Sequence, residues 1–395
     1  MSNHSQPYLT TLTPLRGIAA LLVVVFHANL DLVPFAPALG THLIDDGWLW
    51  VDFFFILSGF VIAYVYGNYF RYGISGANYK RYIGARFARV YPLHFFTLVW
   101  AALCVWYMHS KATSIDPFIG EILNLKAIPA SLVLMQSMHL YITAPLNTPS
   151  WSLSTEWWMY MIFPFIMPFF YRIKMRGRIL ILLLIVGYYL ALTYLIGPIS
   201  GPFPTGKPTI NLVADFGFLR CMAGFMLGML LYEFYTARFG YSLLKNSWAF
   251  VVCFAGVLFA MHKGINELLI IAFFPFILLT AAYNTTTLKK VLDWRPLQRL
   301  GDWSFSIYMV HIPIGYLFYV YNIRIQPGML AQSPAINNAA HPNYVLGGIL
   351  CIILVVATLV VAALTYRFVE IPSRNYLNKL FHSKRAKVST AAFEV

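Results

Sequence analysis

Ten long, mainly apolar runs stand out in this chain, over residues 10–30, 48–68, 90–109, 151–171, 179–198, 210–236, 247–262, 267–284, 299–320 and 343–367. A helix crossing the hydrocarbon of a bilayer needs about 20 such residues, and helices and closed barrels alone satisfy their own backbone in lipid. The pattern predicts an all-α, polytopic membrane protein with about ten transmembrane helices. Composition excludes a soluble enzyme, because 59% of the 395 residues are hydrophobic and 11% charged. A membrane-embedded domain over residues 1–377 leaves room only for a short basic tail at 378–395. The segment Glu121–Met138 is shorter in clean apolar length and carries Asn124, Lys126 and Pro129, so it reads as re-entrant or interfacial. The first stretch lacks the basic start and small-residue cleavage site of a secretory signal, and is expected to remain as a permanent helix.

The formal charge of +14 follows from orientation. With ten crossings and the N-terminus inside, 21 Lys and Arg residues fall on the cytoplasmic side, among them Arg86, Arg89 and the loop Arg172–Arg178, while five fall outside. That bias places both termini in the cytoplasm of a cell inner membrane and removes the need for a nucleic-acid partner. Cys104, Cys221, Cys253 and Cys351 lie in separate apolar stretches without metal-ligand spacing, and read as small buried residues. No metal site is expected.

Several residues do not belong in lipid. Arg16 and His27 are eleven apart, about three helical turns plus roughly 20°, so they share one face of the first helix about 16 Å apart along its axis. One stripe therefore carries a permanent cation near the cytoplasm and a titratable imidazole nearer the outside. Asp52 lies at a depth similar to that of His27 and needs a partner, for which the imidazole is a candidate. Glu156 follows Trp151-Ser152-Leu153-Ser154-Thr155 near the outer end of the fourth stretch, where the tryptophans also suit an interfacial belt. Arg86 and Arg89 share a helix face at a spacing suited to phosphates, although basic residues there are also the expected topology signal. Arg220, with Asp215 five residues before it, and His311 lie inside later stretches, as paired structural groups or as lining of a polar path.

Taken in order, Arg16 with His27, Asp52-Phe53-Phe54-Phe55-Ile56-Leu57-Ser58-Gly59-Phe60, Arg86-Phe87-Ala88-Arg89-Val90-Tyr91-Pro92, Trp151-Ser152-Leu153-Ser154-Thr155-Glu156 and Tyr308-Met309-Val310-His311 give a chain that resembles acyltransferase family 3, the bacterial integral-membrane O-acyltransferases. The resemblance runs from Leu12 to about Leu377. It implies transfer of an acyl group, usually acetyl, from cytoplasmic acyl-CoA to a hydroxyl of a cell-envelope or exported glycan. Acyl-CoA is then a donor substrate, with no permanently bound cofactor. By position the resemblance makes Arg16 and His27 the essential pair and Arg86 with Arg89 the donor-side arginines. Thr13 and Pro14 depart from the acidic residue and glycine that many members carry before the arginine. The hydrolase-like domain fused to some relatives is not seen after the last stretch, so acceptor handling falls to the membrane domain or to a separate periplasmic partner.

On this reading His27 is the general base, with Glu156 or Asp52 fixing its tautomer, CoA phosphates rest on Arg86 and Arg89, and Trp151, Ser152, Arg220 and His311 contact substrate. A covalent relay through His27, Ser58 or Ser152 is an open alternative to direct attack. The rival class is a secondary transporter with a polar intramembrane path, which predicts paired broken helices in two related halves. No such halves are visible.

Overall fold

The computed structural model describes residues 8–112, 115–202, 204–325 and 343–382, and no β-strand occurs among them. The longer helices are α1 (Leu12–Asp31), α2 (Trp50–Phe70), α3 (Gly76–Lys111), α4 (Ser150–Arg172), α5 (Met175–Ala191), α6 (Gly217–Thr236), α7 (Ser247–His262), α8 (Glu267–Tyr283), α9 (Arg295–Asp302), α10 (Ser304–Ile325), α11 (Tyr344–Thr365) and α12 (Ile371–His382). Nine of the ten apolar stretches each overlap one of them, and the stretch 299–320 runs from the end of α9 into α10. The largest difference is in α3, which begins at Gly76, capped by Ser75 Oγ accepting from the Asn78 amide, so that Arg86 and Arg89 ride on the same helix as the apolar stretch after them. Six helical stretches are long and apolar enough to cross a membrane, seven if α9 and α10, which meet at 62°, count as one span. The expectation of about ten is met only to that extent. Helices α7 and α8, at 16 and 17 residues, rise about 24–26 Å against roughly 30 Å of hydrocarbon. Helix α4 is long enough, but its first turns are rich in hydroxyls and carry Glu156.

Residues 121–138 form no crossing helix. They break into short turns at Pro117–Ile122, Leu125–Ala127 and Ile128–Leu132. The chain reverses with Leu134 and His139 in the left-handed region, at φ 55° and 60°, and returns so that the Leu146 amide donates to the Ile122 carbonyl at 2.8 Å. The segment therefore doubles back on itself, so that its two ends lie side by side. Of the tail expected at 378–395, residues 378–382 continue α12, and 383–395 lie outside the described residues.

Packing follows from the apolar faces. Helices α2 and α6 form the most intimate pair and are buried on most sides, so neither has a polar face to show. Their backbones touch: a Cβ on Gly59 would collide with the Phe225 carbonyl, and one on Gly228 with the Ile56 carbonyl. Small residues at a crossing replace the missing hydrophobic drive between helices in lipid. A similar pair, Gly17 and Gly301, lets α9 press against the first turns of α1 beside Arg16. In α10, Pro313 removes the amide that would bond the Met309 carbonyl, and Asn147 Nδ2 of the re-entrant region donates to that carbonyl at 3.0 Å. These contacts set α1, α2, α3, α4 and α10 around one cavity.

Candidate active site

The cavity encloses about 870 Å³ of empty space, its open mouth included. Its wall carries Arg16 from α1, Ser58 from α2, Arg86 and Arg89 from α3, Ser152, Glu156 and Tyr160 from α4, and Tyr308 from α10. Six of the residues singled out in the sequence therefore converge here: Arg16, Ser58, Arg86, Arg89, Ser152 and Glu156.

The three arginines differ in what holds them. Arg86 donates from Nη2 to the Tyr66 hydroxyl at 3.1 Å and is 6% exposed. Arg89 is ion-paired with Glu370, a buried carboxylate in the turn before α12 whose other oxygen accepts from Ser306 Oγ at 2.9 Å. Arg16 makes no hydrogen bond or ion pair among the described residues, although its charge acts on both Glu156 and Arg89. Its guanidinium is thus the one in this wall with its fork open to a ligand. Glu156 sits among hydroxyls: Tyr160, one turn on, donates to its Oε1 at 2.6 Å, and the Tyr160 hydroxyl lies 3.1 Å from Ser58 Oγ. Ser152 Oγ lies 2.8 Å from the Tyr308 hydroxyl.

His27 stands apart from the cavity, nearer the C-terminal end of α1. Its Nδ1 donates to Asp31 Oδ2 at 2.9 Å, one helical turn away. That bond places the ring proton on Nδ1 and leaves Nε2 with the lone pair, the arrangement a general base requires. The ring packs against His311, centroid to centroid 5.1 Å, and His311 packs against Tyr308 at 6.0 Å. A line of side chains therefore runs from the cavity through Tyr308 and His311 to His27. The Tyr319 hydroxyl donates to the Asp31 carbonyl and ties the end of α1 to α10.

Two expected partnerships are corrected. Asp52 does not serve His27: it is fully buried, accepting from Arg220 Nη2 at 2.6 Å and from Nε at 3.1 Å. Glu156 does not reach His27 either, being held by Tyr160 in the cavity wall. Both expectations rested on depth in the membrane, and depth does not fix the direction in which a side chain points. Arg220 likewise turns to Asp52 and not to Asp215, which caps the chain at Gly201 and Phe216. The Arg220 guanidinium lies between Trp48 and Trp151, 4.8 and 5.5 Å from their centroids, so Trp151 belongs to this clamp between α2 and α6 rather than to the cavity wall.

Asp31, Tyr66 and Glu370 were not singled out from the sequence, and Tyr160 and Tyr308 were given no role of their own there. Asp31 and Tyr160 each lie four residues after a residue that was, and Glu370 is the sole carboxylate between Asp302 and Glu394. No group of three or more His, Cys, Asp or Glu side chains among the described residues is arranged to hold a metal ion.

Comparison with known proteins fits this geometry. A family model described as an acyltransferase domain matches residues 12–367. The chain is 26% identical over 406 residues to the acyltransferase MdmB of Streptomyces mycarofaciens, covering 97% of this chain and 95% of that protein. It is 24% identical to the peptidoglycan O-acetyltransferase OatA of Listeria monocytogenes, over 94% of this chain but 57% of the relative. The O-acetyltransferase OatA of Staphylococcus aureus is also 24% identical, over 96% of this chain and 59% of its own. No solved structure matches.

Proposed function

The chain belongs to the acyltransferase domain family matched over residues 12–367 and is a membrane acyltransferase; from that premise we propose that it moves an acetyl group from acetyl-CoA to a hydroxyl of a cell-envelope or exported glycan, with His27 as the general base. Two relatives are O-acetyltransferases by name, one of them acting on peptidoglycan, which supports both the acyl group and the acceptor class. Helices α4, α7 and α8 complete ten crossings of the inner membrane, with both termini cytoplasmic and the cavity mouth toward the donor.

The observation that carries the reading is the placement of an open arginine fork and a carboxylate-set imidazole on one stripe of α1. Anionic groups of CoA meet Arg16, with Arg86 and Arg89 adding positive potential behind their own partners. The pantetheine arm extends along α1 toward His27. The acceptor hydroxyl comes to His27 from the other side, where Asp31 is partly exposed. His27 Nε2 removes the hydroxyl proton as the oxygen attacks the thioester carbon. The carbon–sulfur bond then breaks, and the thiolate leaves as CoA once it regains a proton. Asp31 orients the ring and stabilises the imidazolium.

The test is purified protein in detergent, given acetyl-CoA labelled in the acetyl group together with a cell-envelope fraction. Free CoA thiol should appear and label should pass to envelope glycan, and His27→Ala should lose both while still binding acetyl-CoA. Equal transfer by His27→Ala would remove the imidazole from the chemistry. Wild-type protein that releases no CoA would remove acetyl-CoA as the donor.

A further inference from the structure

Buried polar atoms nearly always find a partner, and leaving one alone is costly. His311 Nε2 is such an atom. The side chain is fully buried in α10, and Nε2 has no hydrogen bond among the described residues. The other ring nitrogen is occupied: Nδ1 donates to the Ile307 carbonyl one turn back, at 3.3 Å. The ring proton is thereby fixed on Nδ1, and Nε2 is an acceptor with nothing to accept from.

Its surroundings indicate what it accepts. His27 also carries its proton on Nδ1, toward Asp31, and therefore also presents a bare Nε2. The two rings lie 5.1 Å apart with no hydrogen bond between them. In that state neither can donate to the other. Once His27 has taken a proton on Nε2, a donor exists beside an empty acceptor. On the other side of His311, Tyr308 lines the cavity and holds Ser152. The backbone here is pinned, because Asn147 occupies the Met309 carbonyl that Pro313 leaves free.

We propose that His311 is a further catalytic residue, the second member of a two-histidine proton relay between the acceptor hydroxyl and the thiolate of CoA. The proposal rests on the acyl transfer proposed above. The proton balance is closed: the hydroxyl proton goes to His27 Nε2, passes to His311 Nε2, and ends on the sulfur as the carbon–sulfur bond breaks. Both imidazoles return to their starting tautomers, and no other reactant is required. The arrangement answers a geometrical need. The donor's anionic end is held by the arginine wall and the acceptor arrives at the outer end of α1, so the base that removes the proton stands on the hydroxyl's side of the reacting carbon, and a second group can serve the sulfur.

The experiment uses the full chain in detergent and three readouts: acetyl-CoA binding, CoA release, and folding by intrinsic fluorescence. His311→Gln keeps the volume but cannot carry a proton, and should bind acetyl-CoA as the wild type does while CoA release falls about 100-fold or more. His311→Gly opens a ring-sized space. Added imidazole should restore CoA release in it, and pyrrole, a ring of similar size without a basic nitrogen, should not. Release by His311→Gln within about threefold of wild type would overturn the relay, as would rescue of the glycine variant by pyrrole as fully as by imidazole, which would make His311 a packing residue. Either result alongside an active, His27-dependent wild type leaves the acetyl-transfer reading standing. A wild type that releases no CoA takes both down.

Discussion

Removing one member of the Asp52–Arg220 pair separates a carboxylate that holds helices together from one that does chemistry. Asp52 and Arg220 are both fully buried, joined by two hydrogen bonds, and among the described residues Arg220 makes only one other, a 3.4 Å contact with the Leu212 carbonyl. Asp52→Leu therefore strands a guanidinium between Trp48 and Trp151, and Arg220→Met strands a carboxylate against apolar neighbours. Each single change should cost about 3–5 kcal/mol of stability, the range for breaking a buried pair from one side. The double variant removes both charges together and forfeits chiefly the stacking on two tryptophans, about 0.5–2 kcal/mol each. It should be more stable than either single variant, giving a coupling of several kcal/mol in a double-mutant cycle. Unfolding in detergent followed by tryptophan fluorescence reads this directly, since Trp48 and Trp151 flank the guanidinium. CoA release should return in the double variant along with the fold. A double variant as unstable as the two singles added together would refute the clamp. One that is folded and stable yet inactive would return Asp52 to the catalytic machinery.

Two further outcomes follow from the packing and the orientation. Gly228→Ala places a methyl against the Ile56 carbonyl and the Phe60 amide and should destabilise by about 1–3 kcal/mol, whereas Gly187→Ala in α5, with nothing within 4 Å of the new atom, should be neutral or stabilising by up to about 1 kcal/mol; thermal unfolding of the two variants compares them. In a Cys253→Ser background, a cysteine at Lys174 should resist an impermeant thiol reagent added to intact cells and one at Leu39 should label, because the loop around Lys174 carries four basic residues and residues 32–46 carry no Lys or Arg; labelling at Lys174 from outside would reverse the orientation.

What the sequence made legible was whatever a single helix determines. Length and hydropathy placed all ten helical stretches, and the eleven-residue spacing placed Arg16 and His27 on one stripe, because both depend on geometry internal to one helix. Partnerships between helices were not legible, since they depend on rotation about each axis, which sequence spacing leaves free. Asp52 and His27, expected at similar depth, face different neighbours, while Asp52 and Arg220 meet across 168 residues. Asp31 was within reach of the same one-turn rule that governs helical pairs, but it falls where α1 ends and reads as loop. Among carboxylates the structure adds a discrimination that no helical period could supply. Asp52 is neutralised by Arg220, Glu233 by Arg178, Glu370 by Arg89, and Asp31 is bound to His27. Glu156 alone of the carboxylates within the helices around the cavity is met only by hydroxyls, from Tyr160 and Ser58, with Arg16 near but unbonded. A carboxylate so placed keeps oxygen lone pairs for a ligand, and Arg16 beside it keeps N–H donors. The two together line one cavity with an acceptor and a donor face. The carboxylate that sequence depth assigned to the imidazole thus belongs to the cavity wall beside Arg16, held by Tyr160 and away from His27.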